Sequence, residues 1–251
     1  MNRALFSFIL LCLLNVLGYS QSAPITIDGK FDDWTNDLQQ HTDPAETLSN
    51  VDLLSFQVTN DEEFLFIKID LDTEINLKED DPVSHSIFLY LDTDMNDNTG
   101  LEIQDGFGAE LGLNFSDLSG DYHVSTPSVT IPFAEVSLRM GPTITSTSFE
   151  IAIARDAVPE NIQPLFSGPT VKILFKNWHN GDELPNADTP FSYTFDDTPV
   201  EAYQPINLEK EVSEHIRLVA YNTLFDGLTN PARVPHFERI LRALDPDIIA
   251  F

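Results

Sequence analysis

The stretch Leu53-Leu54-Ser55-Phe56-Gln57-Val58, Thr59-Asn60-Asp61-Glu62-Glu63, Phe64-Leu65-Phe66-Ile67-Lys68-Ile69 decides the fold class. Two short runs rich in aromatic and aliphatic residues flank five polar ones, the pattern of two antiparallel strands joined by a turn. The same signature recurs at residues 86–91, 109–115, 133–140, 148–153 and 171–176, each run bounded by Gly, Pro, Asn or Asp. Within one of them, Phe149-Glu150-Ile151-Ala152-Ile153 alternates as a strand with a single buried face should. Residues 155–161 leave room for one helical turn. The expectation for residues 24–197 is a mainly β domain, an antiparallel β-sandwich.

Beyond it the pattern changes. Residues 198–212 carry two prolines and no sustained periodicity, which reads as a linker. In residues 213–251, Ile216 to Tyr221 reads as a strand and residues 222–235 as a loop. Phe237, Ile240, Leu241 and Leu244 fall on one helical face, Pro246 ends the helix, and Asp247 to Phe251 opens a second strand. Strand, helix, strand is the first unit of an α/β layer, so a partial α/β segment is expected there, the start of a longer domain. Charge divides the chain at the same place. The net charge is −28 in all, with 35 acids and 8 bases in residues 21–210, but only 6 acids and 4 bases in residues 211–251. A surface this acidic repels nucleic-acid phosphates and anionic lipids unless cations intervene.

Arg3, the apolar run from Leu5 to Leu17 and the small residues of Gly18-Tyr19-Ser20 read as a cleavable signal peptide over residues 1–20. The run is short for a bilayer span, so no stable membrane insertion is expected after cleavage, and the compartment is extracellular or periplasmic. The single cysteine, Cys12, lies inside that segment, and the mature chain therefore has no disulfide to draw on.

The most specific chemical signal is Asp92-Thr93-Asp94-Met95-Asn96-Asp97-Asn98-Thr99-Gly100. Asp92, Asp94, Asn96 and Asn98 alternate along it, and a hard cation such as Ca2+ takes six to eight oxygen ligands. Asp105 or Glu110 would supply a further carboxylate. The flanks are strands and the twelfth position is no glutamate, which excludes an EF-hand. The competing reading is a polar turn, because Asn and Asp favour turns without any ion.

Two resemblances add to this. Ile25-Thr26-Ile27-Asp28-Gly29-Lys30-Phe31-Asp32-Asp33-Trp34, with the Phe88 to Gly100 strand and loop, resembles the family 9-like carbohydrate-binding modules and their DOMON-like relatives over about residues 24–197. The resemblance implies a calcium-stabilised, jelly-roll-like sandwich and a polysaccharide partner. Trp178 would then be the stacking ring and Asn177, His179 and Asn180 the hydroxyl partners. The alternative for Trp178 is a loop tryptophan that closes one end of the sandwich, and no second exposed aromatic is legible to complete a clamp. His215 to Phe225, followed by Arg239-Ile240-Leu241 and Leu244 to Phe251, is similar to the opening of the endonuclease/exonuclease/phosphatase family. That likeness implies a divalent-metal phosphodiesterase using Mg2+ or Mn2+ on a phosphodiester or nucleic acid. Asn222 matches the asparagine that helps hold metal and phosphate, and the rest of the catalytic set lies outside these residues. The chain by itself would be catalytically incomplete, and the alternative is a purely non-catalytic binding or cell-surface module.

Serine-hydrolase and cysteine-nucleophile chemistry find no support, since there is no Gly-x-Ser-x-Gly and the mature chain has no thiol. No glycine-rich phosphate loop is present.

Overall fold

The computed structural model describes residues 24–44, 50–78, 86–199, 207–223, 228–231 and 233–251. The signal-peptide reading of residues 1–20 and part of the linker lie outside them. Among the described residues no helix is long and apolar enough to cross a membrane. The chain divides into two units, Met1–Ala202 and Tyr203–Phe251.

The first unit is an antiparallel β-sandwich. One sheet runs β1 (Gln39–Thr42), β2 (Leu53–Asn60), β3 (Phe64–Asn76), β11 (Thr145–Ala154), β10 (Arg139–Gly141). The other runs β13 (Asp182–Leu184), β12 (Thr170–Asn177), β4 (Ile87–Asp92), β7 (Leu111–Asn114), β8 (Ser119–Tyr122), β9 (Val129–Pro132), with β14 (Ser192–Thr194) also on β12. β5 (Leu101–Gln104) and β6 (Phe107–Ala109) pair with each other as a separate small hairpin.

Period-two alternation explains the core. Leu65, Ile67 and Ile69 of β3 pair with Ile153, Ile151 and Phe149 of β11, and all six are buried. Leu89 and Leu91 of β4 lie beside Phe175 and Ile173 of β12 and Leu113 and Leu111 of β7 in the same way. The Phe56 ring of one sheet meets the Phe175 ring of the other, with centroids 5.8 Å apart. The β2–β3 turn is set by Asp61, whose carboxylate accepts the Glu63 and Phe64 N–H groups.

The reading of residues 133–140 as one strand is corrected. Residues Phe133–Val136 form a 3-10 turn, Ser137 sits left-handed at φ 49°, and only Arg139–Gly141 is extended. Val136 is buried and Phe133 packs against the same core. Three residues apart, they share a face in a tight turn, whereas a strand would send them to opposite faces.

The outer face of the first sheet is covered by the opening segment. Glu150 points outward from β11 yet is fully buried, because residues 28–34 lie over it. Its Oε1 accepts the Asp28 N–H at 2.7 Å and the Gly29 N–H at 2.6 Å, and its Oε2 accepts the Trp34 indole N–H at 3.0 Å. Trp34 is accordingly a packing residue.

In the second unit, β15 (Leu218–Ala220) and β16 (Ile248–Ala250) pair in parallel and α1 (Val234–Leu244) connects them. Pro235 stands in the first turn of α1, and left-handed Asp245 closes it with its N–H on Leu241 O. Phe237 is buried, with the Tyr221 ring edge-on at 5.4 Å. Asn222 lies two residues past the end of β15, after Tyr221, and is exposed.

Candidate metal centre and aromatic platform

Asp92 ends β4 on the outer face of the second sheet. Glu110 sits at the break between β6 and β7, where its N–H bonds Leu91 O and its carbonyl accepts the His123 N–H. The break brings the Glu110 side chain under the acidic loop. Carboxylate oxygens of Asp92, Asp94 and Glu110 lie within 4.8 Å of one another. Two ligands of one calcium ion stand no more than about 5 Å apart, so the spacing fits a single ion. Asp92 is 0% exposed and Glu110 2%.

One oxygen of each buried acid is engaged. Asp92 Oδ1 accepts the Met95 N–H at 2.7 Å, and Glu110 Oε2 accepts the Thr93 N–H at 2.8 Å. The other, Asp92 Oδ2 and Glu110 Oε1, is buried with no hydrogen-bond partner among the described residues. Asp92 Oδ2 has the Lys172 ammonium 3.1 Å away as an ion pair, and that ammonium also bonds Asp97 and, at 2.8 Å, Gly106 O. The Thr99 hydroxyl stands near enough to Glu110 to ease its charge slightly, but its hydrogen bonds go to Asp94 and Asn96 O. Burial pushes the Glu110 carboxyl upward, and repulsion from Asp94 and Asp92 adds to it. For Lys172, burial alone would lower the ammonium, but the bonds to Asp97 and Asp92 raise it overall. Two carboxylates this close repel by on the order of 3 kcal/mol at an effective dielectric of about 20. One ammonium facing three carboxylates leaves the cluster short of positive charge, and the donor set is that of a hard-cation site.

Hydrogen bonds within the loop involve Asp94, Asn96 and Asn98. Asn96 Oδ1 accepts the Asn98 N–H at 3.2 Å and Asp94 Oδ1 accepts the Asn96 N–H at 2.9 Å, successive Asx turns that hold the loop's curvature. Gly100, at φ +69°, lets the chain lie against the cluster, since a Cβ there would stand 2.3 Å from Ala109 O and 2.8 Å from Glu110 Oε1. Asp105 is exposed at the far end of the β5–β6 hairpin and is not in the group.

The four residues read as sugar contacts fall into two kinds. Asn177 is buried, with its amide on Val51 O at 3.2 Å and its side-chain oxygen on the His179 N–H. Asn180 bonds Val51 O and the Asp182 N–H, so both asparagines fasten the β12–β13 turn to the start of β2. His179 is exposed, and Trp178 is 52% exposed.

Trp178 does not stand alone. Its indole N–H donates to Tyr90 OH at 2.9 Å, and the Lys176 ammonium lies 4.2 Å from its ring, held by Glu183 at 2.5 Å. Phe88 and Tyr90, two apart on β4, stack 5.7 Å apart at 7°. Gly112 lies opposite Tyr90 on β7, and a Cβ there would come within 2.7 Å of the Tyr90 ring. The missing side chain is what lets the ring lie flat on the sheet. Phe107, Ala109 and Leu174 pack beside Tyr90, so the hairpin buttresses the platform. The sequence reading missed Tyr90 as the partner of Trp178, and Phe88 as the ring stacked on Tyr90. The signal was present as an aromatic pair at i, i+2, but the register that sets Phe88 beside Lys176 and Tyr90 beside Leu174 is a pairing fact.

Two solved structures are similar in outline. They are a carbohydrate binding module family 9 (CBM9) from Caldicellulosiruptor kristjanssonii in complex with cellotriose and one in complex with glucose, each with a TM-score of 0.40 and 14% sequence identity. Each alignment covers 74% of this chain, with 96% of the cellotriose-bound chain and 97% of the glucose-bound chain. No family model matches the sequence, and no curated protein matches it. At this identity a site must be read from this chain's own side chains.

Proposed function

We propose that the sandwich is a secreted, non-catalytic saccharide-binding module stabilised by calcium. The observation that carries the binding reading is the half-exposed Trp178 ring, fixed by Tyr90 OH and the Lys176 ammonium, with Tyr90 itself stacked on Phe88. A rigid indole with a solvent-facing side presents apolar surface to a pyranose at small entropic cost, and the neighbouring His179 supplies a polar group. The calcium reading is supported by the buried Glu110 Oε1, which accepts no hydrogen bond, and by Asp92 Oδ2, which has only the Lys172 ammonium, both beside Asp94.

Trp178→Ala is expected to abolish retardation of the protein in native gels containing soluble polysaccharide, with an unchanged melting temperature. Equal retardation of both proteins across a panel of plant and microbial glycans, or none of either, overturns the binding reading.

For residues 213–251 the proposal is the opening layer of a metal-dependent phosphoesterase, supported by the parallel pairing of β15 and β16 across α1. Asn222 would contribute one part of a catalytic set that needs several.

A further inference from the structure

Beside the acidic triad the surface opens into a cleft of about 410 Å³ at one end of the second sheet. Its size falls in the range of small-ligand sites, about 300–1,000 Å³. Asp94 and Glu110 line it, so the cluster borders the cleft and is not sealed within the sandwich. The remaining walls come from two segments. One is Asn98, Thr99 and Gly100 of the acidic loop. The other is His123, Ser125 and Thr126, which follow β8, and Gln163 closes a side.

We propose that this cleft is a second saccharide subsite, in which a cation held by the triad binds a vicinal diol of a neutral sugar. The inference rests on the cation reading above. Of the six carboxylate oxygens, Asp92 Oδ1, Asp94 Oδ1 and Glu110 Oε2 already accept backbone N–H groups, so fewer than the six to eight that calcium takes are free, and the positions left over on the cleft side accept oxygens from outside. The chemistry of the walls selects the ligand. Hydroxyls, amides and an imidazole both donate and accept hydrogen bonds, which matches sugar hydroxyls. Among the described residues no lysine or arginine lines the cleft, and two carboxylates do, so an anionic sugar would meet repulsion where a neutral one does not. The site is separate from the Trp178 platform, since the two share no lining residue.

The test is calorimetric titration of the intact chain in a Trp178→Ala background, which silences the platform. Calcium is titrated first, alone. Mannotriose, galactotriose and xylotriose are then titrated at saturating calcium and again in EDTA. At least one sugar is expected to bind with calcium and to lose ten-fold or more affinity in EDTA. His123→Ala is expected to lower that affinity at least five-fold while leaving calcium affinity unchanged. If calcium binds and no sugar shows calcium-dependent binding, the cleft proposal is overturned and the cation reading survives. If calcium itself does not bind, the cation reading falls, and the cleft proposal with it.

Discussion

Calcium at a hundred times its dissociation constant should raise the stability of the first unit by about 2.7 kcal/mol, and its melting temperature by about 5–10 °C. The gain arises because the ion binds a cluster that exists only in the folded chain. Unfolded, Asp92, Asp94 and Glu110 are separate carboxylates. Folded, they stand within 4.8 Å of one another, with the buried Glu110 Oε1 accepting no hydrogen bond and Asp92 Oδ2 facing only the Lys172 ammonium. Glu110→Gln should remove most of the calcium response, because it deletes the acid that the β6–β7 break places under the loop. In the absence of calcium the same change should leave the protein equally or more stable, since it relieves repulsion from Asp92 and Asp94. Those opposite signs separate an ion site from a hydrogen-bonded turn. A melting temperature indifferent to calcium, or a Glu110→Gln protein that still responds fully, would sink the assignment.

Glu150→Ala should cost about 3 kcal/mol, read as a lower denaturant midpoint with an unchanged slope. The carboxylate is fully buried and accepts hydrogen bonds from two backbone N–H groups and the Trp34 indole. Its loss leaves the buried indole N–H without an acceptor and frees residues 28–34 from the sheet they cover. A loss under 1 kcal/mol would show that water or a rearranged turn replaces it. Glu150 also has a pH signature. Burial raises its carboxyl above the ordinary value, despite the opposing bonds from Trp34, Gly29 and Asp28. The native chain therefore holds that proton to higher pH than the unfolded chain does. The group's contribution to stability falls as pH rises from the unfolded value through the raised one, and is level beyond it. Glu150→Gln should flatten the stability curve relative to the parent protein in that window and nowhere else. Parallel curves for the two proteins would refute the shift.

The architecture was legible wherever one face of a strand is apolar. Leu53 to Ile69 and Phe149 to Ile153 carry their pairing in their alternation. The legible part ended where both faces, or neither, are hydrophobic. Strand β8, Ser119–Tyr122, has a Gly and an Asp among its four residues and becomes a strand only because β7 and β9 flank it. The acidic loop was visible as spacing, and Glu110 as a carboxylate within reach. That Asp94 and Asn96 make Asx turns, and that Asn177 and Asn180 bond Val51 O, depends on the folded geometry around them. So does the role of Glu150, which in sequence is only the polar position of an alternating run.

Lys172 joins parts of the molecule that otherwise have separate tasks. Its single ammonium touches the end of β4 at Asp92, the acidic loop at Asp97, and the hairpin tip at Gly106 O. The same hairpin props the ring of Tyr90. A divalent ion bound among the carboxylates, as proposed, would compete with Lys172 for Asp92, and the same ammonium fastens the hairpin whose far strand packs beneath the indole's partner Tyr90.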